Sequence, residues 1–338
     1  MASNNPFTKN GNSLPVASIN SVYVDDELAS NIFRPSLLLE EIIKYKNELG
    51  LTNESDSGKY LYMFNDLLKS DLDSIRSKAY EIAEEFGNRL SKVLLTLYKP
   101  SLKSVLNREN WTDEHWQFWK TITNIYLVGG LTSPILTSVF YSQVTKALEA
   151  NKIDNLTVTF IEGSANLGTQ GLSTLITDGD YLLFDFGQTN IKRARHMKKN
   201  NKVVIETVLP QVKSDYLFYK SKSEDEVKQI AHLLDDYIVN TIANTIKQVA
   251  YQSGNIYMSI ANYVSEGKIY SARGGYGKLA YVSDNYEKHL SNRLSKLYNR
   301  DIKVKLFHDT SAMALVFKNR PNTAVISLGT AFGIAFPE

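Results

Sequence analysis

Apolar side chains recur at three- and four-residue steps along much of the chain, which is the spacing of one helix face. This pattern predicts a long helix over Asp73–Leu97, with a capping signal at Ser70-x-x-Asp73 and a stop near Pro100. It predicts a second long helix from Ser223, where Ser223 and Glu226 have the spacing of a capping box. Shorter helices are predicted over 133–150, 168–176, 283–298 and 310–317.

Short apolar runs bounded by Gly, Asn and Asp predict strands. Three consecutive runs after Asp180 predict a meander, at 181–185, 190–196 and 202–208. Other strands are predicted at 16–24, 124–128, 156–161, 256–260, 304–307 and 324–328. From Asp180 onward, three strands are followed by alternating helices and strands, which indicates an α/β layer with a mixed sheet.

Three of the predicted strands end in glycine with small hydroxyl residues nearby. The segments are Asp185–Thr189, Val128–Ser133 and Ser327–Gly333. Glycine allows positive φ and lets backbone N–H groups approach a ligand closely, and such groups form concave sites for anions. Taken alone, the second and third segments are more typical of an ordinary turn or a bulged strand. The first is more specific, because an aspartate at the end of an apolar strand needs a reason to be buried.

Two aspartates stand at the ends of apolar strands. Asp185 has the chemistry to hold a hydrated Mg²⁺, a hard cation that prefers oxygen ligands. Asp309 follows the strand at 304–307 and opens a predicted helix. It therefore has two interpretations, an N-cap of that helix or a general base, and one carboxylate can serve as both. The helix dipole is expected to favour the ionised form of Asp309.

Composition narrows the classes of function. The formal net charge is +2, which gives no electrostatic reason to expect nucleic acid as a partner. The chain has no cysteine, so disulfides, thiolate nucleophiles and cysteine zinc sites are excluded. No apolar leader and no run near the ~18 apolar residues of a membrane span are present, so we expect a cytoplasmic protein without a membrane partner. The motifs G-x-x-x-x-G-K-[ST], G-x-G-x-x-G and G-x-S-x-G are absent.

In combination, these elements resemble the ATPase core shared by actin, Hsp70 and sugar kinases, and within it the ROK family of bacterial sugar kinases. Asp185–Lys192 is similar to the family's first phosphate motif, D-x-G-G-T. His308-Asp309 is similar to its catalytic Asn-Asp pair, and Leu328–Gly333 to its second phosphate motif, G-T-G-x-G. Three further segments resemble its adenosine motif, its closing helix and its sugar-binding stretch: 125–131, 164–176 and 256–277, respectively.

The order of these segments differs from the family order. Family members run from the first phosphate motif through the sugar stretch, the catalytic aspartate and the second phosphate motif to the adenosine motif and closing helix. In this chain the adenosine motif and closing helix come first. We interpret this order as a circular permutation, which a fold tolerates when the old ends lie close together and the new ends fall in an exposed loop.

The motifs also depart from the family pattern in composition. Gln188 and Ala331 replace glycines, and His308 replaces the usual asparagine. The family's Cys-rich zinc motif and its G-E-x-G-H sugar motif are absent. These departures bear on the substrate more than on the fold.

The resemblance implies a two-lobed α/β fold of the actin-like ATPase, ribonuclease H-like type, circularly permuted. One lobe would contain 16–177 plus 321–338, with the adenosine and second phosphate motifs. The other lobe, 178–320, would contain the first phosphate motif, the sugar stretch and the catalytic aspartate. The permutation further predicts that 324–336 shares a sheet with 125–128 and 16–24.

The resemblance also implies an ATP-dependent sugar kinase that transfers the γ-phosphate of Mg·ATP to a hydroxyl of a hexose or hexosamine. Asp309 would be the catalytic base, and Asp185 would position Mg²⁺ through water. ATP would contact two groups of residues, Gly187, Gln188, Thr189, Asn190 and Lys192, and Gly329, Thr330, Gly333, Gly129 and Gly130. The sugar would contact Asn262, Gly274, Gly275, His308 and Asp309.

A non-catalytic sugar- or nucleotide-sensing protein on the same fold is the alternative, because Gln188, Ala331 and His308 replace family residues. Some relatives of the family are repressors with a DNA-binding helix-turn-helix, but the N-terminal part of this chain offers no basic candidate. The retained Asp185 and Asp309 favour the enzyme. The sequence leaves open the sugar, the hydroxyl, a donor other than ATP, and whether the chain forms a homodimer.

Overall fold

The structure is a computed structural model that describes residues 5–51, 59–219, 223–270 and 275–337. Its strands are β1 (Thr8–Lys9), β2 (Asn12–Ser13), β3 (Tyr23–Val24), β4 (Glu27–Leu28), β5 (Asn124–Val128), β6 (Thr157–Phe160), β7 (Gly179–Phe186), β8 (Asn190–Lys199), β9 (Lys202–Lys213), β10 (Asn255–Ile260), β11 (Val264–Ser265), β12 (Lys268–Ile269), β13 (Lys303–His308), β14 (Thr323–Leu328) and β15 (Phe332–Ala335). Its α-helices are α1 (Ala29–Ile32), α2 (Pro35–Lys44), α3 (Lys59–Leu67), α4 (Asp73–Tyr98), α5 (Leu102–Leu106), α6 (Asp113–Thr121), α7 (Pro134–Ala150), α8 (Leu167–Thr174), α9 (Glu224–Gln248), α10 (Tyr286–Tyr298) and α11 (Asp309–Ala314). Short 3₁₀ helices cover Pro15–Ala17, Ser164–Asn166, Tyr276–Tyr281 and Leu315–Phe317.

The chain divides into two compact units. The first contains the described residues of Met1–Phe7, Val16–Ala165 and Arg320–Ile334, and the second those of Thr8–Pro15, Asn166–Asn319 and Ala335–Glu338. The division expected from the sequence put 164–177 in the first lobe. In the structure α8 instead belongs to the second unit, where it packs against β7 and α11.

The second unit contains a five-stranded mixed sheet in the order β13-β10-β7-β8-β9. Strands β7, β10 and β13 are parallel, whereas β8 runs antiparallel to β7 and β9 runs antiparallel to β8. The predicted meander is therefore β7, β8 and β9, and the parallel strands that follow are joined through helices, as parallel connections require. The order and directions agree with the ribonuclease H-like α/β fold class expected for the chain.

Both faces of this sheet are buried. Along β7, Leu182, Phe184 and Phe186 pack into one apolar cluster with residues of α9 and α10. The alternate residues Tyr181 and Leu183 pack into another cluster with residues of α8 and α11. Successive side chains of a strand point to opposite faces, so a continuous apolar run is what a strand buried on both sides requires.

Of the two predicted helix caps, the one at α9 is present and the one at α4 is not. Ser223 caps α9, and its hydroxyl accepts a hydrogen bond from the Glu226 N–H at 3.2 Å. Helix α4 begins at Asp73 without a side-chain cap, because the Ser70 hydroxyl accepts from the Leu72 N–H instead. Within the described ranges, no helix has the length and apolar character needed to cross a membrane.

The first unit contains a four-stranded sheet in the order β15-β14-β5-β6. Strand β14 is parallel to β5, with Ser327 opposite Val128, and β5 is parallel to β6. The prediction that the C-terminal segment shares a sheet with 125–128 is therefore confirmed. Helices α4 and α7 pack closely, and a Cβ placed on Gly87 of α4 would lie 2.9 Å from Gln143 Cγ of α7.

The strand predicted over 16–24 is wrong. Pro15–Ala17 forms a 3₁₀ helix, and β3 pairs only with β4 in a separate two-stranded hairpin. The apolar side chains of Val16–Val24 that suggested a strand are largely buried in place, including Ala17, Ile19 and Val22. Burial therefore explains why these side chains are apolar, although the segment does not form the predicted strand.

Candidate active site

The carboxyl ends of β7, β10 and β13 bring two predicted carboxylates to one edge of the second unit's sheet. Asp185 in β7 lies opposite Ser259 in β10, and Ser259 lies opposite Phe307 in β13. Asp309 comes two positions after Phe307 at the start of α11, and Asp185 is near enough to raise its pKa. The structure therefore gathers Asp185 and Asp309 at the edge where α/β sheets bind their ligands.

Asp185 is enclosed by protein. Its side chain is 1% exposed, its Oδ1 accepts from the Ser259 hydroxyl at 2.9 Å, and its Oδ2 accepts from Lys192 Nζ at 3.1 Å. Helix α8 covers the carboxylate, because a Cβ placed on Gly168 would lie only 2.8 Å from Oδ2. Both oxygens therefore have donors within the second unit.

A metal ion bound directly by Asp185 does not fit this arrangement. Mg²⁺ requires oxygen ligands at short distances, but here an ammonium group occupies the cation position at Oδ2. Among the described residues, no group of three or more His, Asp or Glu side chains could hold a metal ion. The contact predicted for Asp185 is to Mg²⁺ through a water molecule rather than a direct bond, and it stays a prediction.

The turn after β7 has the close packing that its glycine predicted. A Cβ placed on Gly187 would lie 2.9 Å from the Asn190 carbonyl oxygen and 3.2 Å from Lys192 Nζ. Only glycine admits both neighbours at these distances. The ammonium of Lys192 therefore lies against the backbone of the turn, where it adds positive charge to a predicted phosphate contact.

The carbonyl groups of this turn are held by donors of the second unit. The Gly187 carbonyl accepts from the Ser214 hydroxyl at 2.7 Å and from the Tyr276 hydroxyl at 3.1 Å. The Thr189 carbonyl accepts from the Ser214 N–H at 2.9 Å, and the Phe186 carbonyl accepts from the Ala261 N–H at 3.0 Å. Carbonyl oxygens repel anions, so engaging them elsewhere favours anion binding by the turn. Ser214 and Tyr276 were not predicted, because nothing in the sequence around them indicates that they donate hydrogen bonds to the Gly187 carbonyl.

Asp309 is not the cap of its helix. His308 is the N-cap of α11, and its Nδ1 accepts from the Ser311 N–H at 3.3 Å. Asp309 is the first helical residue, and its Oδ1 accepts from the Thr310 N–H at 2.6 Å and from the Thr310 hydroxyl at 3.2 Å. Among the described residues, none donates to Oδ2, and the side chain is 21% exposed. One carboxylate oxygen is thus fixed and the other is open.

The protonation of Asp309 is set by burial rather than by the helix. Burial, with a smaller contribution from the nearby Asp185 carboxylate, raises the pKa of Asp309 to about 7, although hydrogen bonds from Thr310 and the charge of Lys192 act in the opposite direction. The helix dipole was expected to favour the ionised form, but α11 has only six residues, and the net effect of its surroundings on Asp309 is to favour the protonated form. Asp309 therefore exchanges a proton near neutral pH, as a general base should.

His308 faces protein on both ring nitrogens. It is 4% exposed, and burial lowers its pKa to about 3, so the imidazole is neutral at pH 7. Its Nδ1 lies 3.0 Å from the Ser311 hydroxyl and its Nε2 lies 3.3 Å from Asp309 Oδ1. The Tyr263 ring stacks on it with centroids 4.8 Å apart. The sugar contact predicted for His308 stays a prediction, and the geometry gives this side chain a structural task as a helix cap.

Two residues near the N-terminus complete the surroundings of this cap. Asn12 Oδ1 accepts from the His308 N–H at 3.0 Å, and the Ser13 N–H donates to the Ser311 hydroxyl at 3.0 Å. Asn12 and Ser13 form β2 and are buried. Each of these two residues contacts a partner near the other end of the chain. Such a contact leaves no periodic pattern in the sequence, so neither Asn12 nor Ser13 was predicted.

The predicted sugar-binding stretch is described in part. Asn262 follows β10 and is half-buried, and its N–H donates to the Ile260 carbonyl at 2.7 Å. Gly274 lies outside the described residues. Gly275 and Gln188 line one cavity of about 420 Å³, together with Leu217, Phe218, Tyr219, Val227 and Lys278. The structure therefore brings one predicted sugar contact and one predicted ATP contact to the same cavity.

In the first unit, the glycine turns after β5 and β14 meet. Gly129 has φ +107°, and a Cβ placed on it would lie 3.0 Å from the Leu328 carbonyl oxygen. The Gly129 N–H donates to the Ser164 hydroxyl at 2.9 Å, so that group is engaged within the protein. The space around Gly130 is open, with nothing within 4 Å of a Cβ placed there. Predicted contacts of the adenosine and second phosphate motifs are therefore neighbours at one sheet edge.

The second phosphate motif has a fixed strand and an exposed turn. Thr330 and Ala331 are exposed, whereas Gly333 lies within β15 rather than in the turn. Asn20 pins the start of that strand, because its Oδ1 accepts from the Phe332 N–H at 3.0 Å and its Nδ2 donates to the Phe332 carbonyl at 2.7 Å. The alternative interpretation of this segment as strand structure thus holds at Gly333, while Gly329 and Thr330 remain at the turn.

Comparison with known proteins finds solved structures that are only weakly similar to this chain. The sequence matches no protein-family model, and no curated protein matches it. A Ppx/GppA family member from Aquifex aeolicus has a TM-score of 0.19 and 10% identity, with 38% of this chain and 35% of that chain covered. An exopolyphosphatase-like protein has a TM-score of 0.30 and 11% identity, with 76% and 87% covered. The type II variant of the Aquifex aeolicus Ppx/GppA phosphatase has a TM-score of 0.27 and 10% identity, with 75% and 87% covered.

These likenesses are too low to carry an argument about function. None of them supports membership of the ROK family. The functional conclusion therefore depends on the residues gathered in the second unit.

Proposed function

We propose that the chain is a phosphoryl-transfer enzyme, an ATP-dependent sugar kinase that moves the γ-phosphate of Mg·ATP to a hydroxyl of a hexose or hexosamine. The observation that carries this proposal is the state of Asp309. Its Oδ1 is fixed by Thr310, its Oδ2 has no donor among the described residues, and burial raises its pKa to about 7. A carboxylate in this state is suited to take a proton from a hydroxyl at neutral pH.

In the proposed reaction Asp309 Oδ2 accepts the proton of the sugar hydroxyl. The hydroxyl oxygen forms a bond to the γ-phosphorus, and the bond between that phosphorus and the oxygen bridging the β- and γ-phosphates breaks, so ADP leaves. Phosphoryl transfer needs little covalent help from the protein, and catalysis is mostly positioning and charge neutralisation. Lys192 and the turn at Gly187–Thr189 supply positive charge and N–H groups for that purpose.

Other parts of the expected site stay proposals. The ATP contacts of Gly129, Gly130, Gly329, Thr330 and Gly333 are implied by the resemblance alone. The cavity next to Gln188 and Gly275 supports a ligand position beside the phosphate turn. The sugar contact of Gly275 is proposed on the same ground. The sugar contact of Asn262 and the choice of hexose or hexosamine come from the resemblance.

A non-catalytic sensing protein is the second candidate, and one observation favours it. Asp185 is closed by Ser259, Lys192 and the α8 backbone at Gly168, so it does not present a free oxygen to a metal. A protein that binds ligand without turnover has no need of such an oxygen. The two candidates differ in whether a sugar stimulates ADP release.

The deciding experiment combines nucleotide binding with a screen for turnover. Binding of Mg·ATP is measured by isothermal titration, and ADP release is then followed by a coupled assay over a panel of hexoses and hexosamines. The enzyme proposal expects sugar-dependent ADP release that Asp309→Asn reduces by about 10²–10⁴-fold. The matched control is Asp301→Asn, the same substitution at an exposed carboxylate.

Each result has a distinct meaning. ATP binding without sugar-dependent ADP release supports the sensing protein and contradicts the kinase. ADP release that survives in Asp309→Asn contradicts the assignment of the base. ADP release in water alone, unaffected by any sugar, would indicate a nucleotide hydrolase instead.

A further inference from the structure

We propose that Thr310 is a positioning residue that makes Oδ2 the reacting oxygen of Asp309. This inference rests on the proposed role of Asp309 and adds a residue that the motif comparison does not contain. Thr310 is fully buried, and both its N–H and its hydroxyl donate to Asp309 Oδ1. The two Thr310 donors, with His308 Nε2 at 3.3 Å, hold Oδ1 in place, whereas Oδ2 has no donor among the described residues.

The hydroxyl of Thr310 also governs the charge of Asp309. A hydrogen bond to a carboxylate stabilises the ionised form. The groups that face Asp309 act in both directions: Asp185 on β7 opposes ionisation, Lys192 on β8 favours it, Tyr276 lies within electrostatic range, and His308 on β13 is neutral. Burial is the largest influence and opposes ionisation, so loss of one donor leaves Asp309 protonated at neutral pH.

The size of the effect follows from the energy of one charge-assisted hydrogen bond. Such a bond is worth about 1.5–3 kcal/mol, and one pKa unit corresponds to about 1.4 kcal/mol. Because the Thr310 N–H remains in a side-chain variant, we expect a rise of about one pKa unit. With a starting pKa of about 7, the ionised fraction at pH 7 falls from about one half to about one eleventh. Turnover at pH 7 should fall about five-fold, while turnover at pH 9 should barely change.

Three variants separate positioning from packing. Thr310→Val keeps the branched shape and removes the hydroxyl, Thr310→Ser keeps the hydroxyl and removes the methyl group, and Asp309→Asn identifies the signal of Asp309. Thr310→Ala removes the hydroxyl in a second way and serves if valine disturbs the fold. Circular dichroism establishes that each variant is folded.

The test needs no known substrate. Protein labelled with ¹³C at the aspartate carboxyl carbons is titrated from pH 4 to pH 10 by NMR, and the resonance lost in Asp309→Asn belongs to Asp309. We expect a midpoint near 7 in the wild type, a rise of about one unit in Thr310→Val, and recovery of the wild-type midpoint in Thr310→Ser. An unchanged midpoint in both Thr310→Val and Thr310→Ala overturns the inference.

Turnover provides the second readout and keeps the two proposals apart. If a sugar that stimulates ADP release is found, the Thr310→Val defect should be several-fold larger at pH 7 than at pH 9, and a defect equal at all pH values would show a packing effect and contradict the inference. If Asp309→Asn retains turnover, the proposed role of Asp309 as the base fails, whereas the NMR titration still decides whether Thr310 controls the pKa of Asp309.

Discussion

Gly168→Ala is expected to destabilise the protein although alanine is the better helix former. A methyl group at Gly168 would lie 2.6 Å from Asp185 Cγ and 2.8 Å from its Oδ2. Atoms do not approach so closely, so either α8 moves away from β7 or Asp185 turns from its partners. Asp185 is held by Ser259 and Lys192 in a buried position, and it has no free space to turn into.

Magnitudes decide the sign of this substitution. Replacing glycine by alanine within a helix favours folding by about 1 kcal/mol. Overpacking a well-packed interior costs about 1–3 kcal/mol, and loss of a hydrogen bond to a charged group costs about 1.5–3 kcal/mol. Either cost at least offsets the propensity gain, and the two together exceed it. We expect a net loss of about 1–2 kcal/mol in the free energy of unfolding.

Urea denaturation followed by far-ultraviolet circular dichroism measures this loss. The matched control is Gly130→Ala, where a Cβ would meet nothing within 4 Å, and its stability should stay close to that of the wild type. A Gly168→Ala variant as stable as the wild type, or more stable, would refute the close packing of α8 on Asp185.

Three further predictions concern the same region. Asn12→Ala should lower the free energy of unfolding by about 1–3 kcal/mol, because it leaves the buried His308 N–H without its acceptor; Lys9→Ala in the same hairpin is exposed and should have little effect in urea denaturation. Because burial raises the pKa of Asp309 to about 7, folding favours its protonated form, so the contribution of Asp309 to the free energy of unfolding should be most favourable below about pH 4 and should decrease as the pH rises to 7. Asp309→Asn should remove that component, as unfolding at pH 5 and pH 8 would show. Lys192→Met should weaken Mg·ATP binding in isothermal titration, and unchanged affinity would exclude the ammonium as a phosphate contact.

The topology of the second unit could be predicted because each signal was local. Alternating and continuous apolar runs identified β7, β8 and β9, and the capping residue Ser223 marked the start of α9. Asp185 was recognised because a carboxylate at the end of an apolar strand is unusual. These inferences need only neighbours within a few positions along the chain.

Other features depended on neighbours distant in sequence. The cap of α11 is His308 rather than Asp309, since the histidine ring is enclosed by Ser311 and Tyr263 and by the β2 hairpin. The raised pKa of Asp309 depends on burial, which a local pattern does not report. Thr310 is an exception. It stands next to Asp309 in the sequence and could have been predicted as its hydrogen-bond donor, but the family motif does not include it.

The two sheets bear on the circular permutation, which stays a proposal. In the second unit the order β13-β10-β7-β8 is followed by β9, and in the first unit the order is β6-β5-β14-β15 without a fifth strand. Strand β14 thus takes the place of β7, although β7 precedes the other strands of its sheet in the chain and β14 follows β5 and β6. A chain opened after the first two strands of a repeated unit would produce this arrangement.

The same equivalence extends to the turns that follow β7 and β14. Gly329 in the first unit follows β14 as Gly187 follows β7, and Ser327 stands two positions before it, where the second unit has Asp185. Both units therefore have a glycine turn after the equivalent strand, and phosphate binding at these turns stays a prediction. The carboxylates Asp185 and Asp309 occur only at the edge of the second sheet. The proton acceptor that we propose for phosphoryl transfer therefore belongs to the second unit, and the edge of that unit's sheet also carries the turn at Gly187.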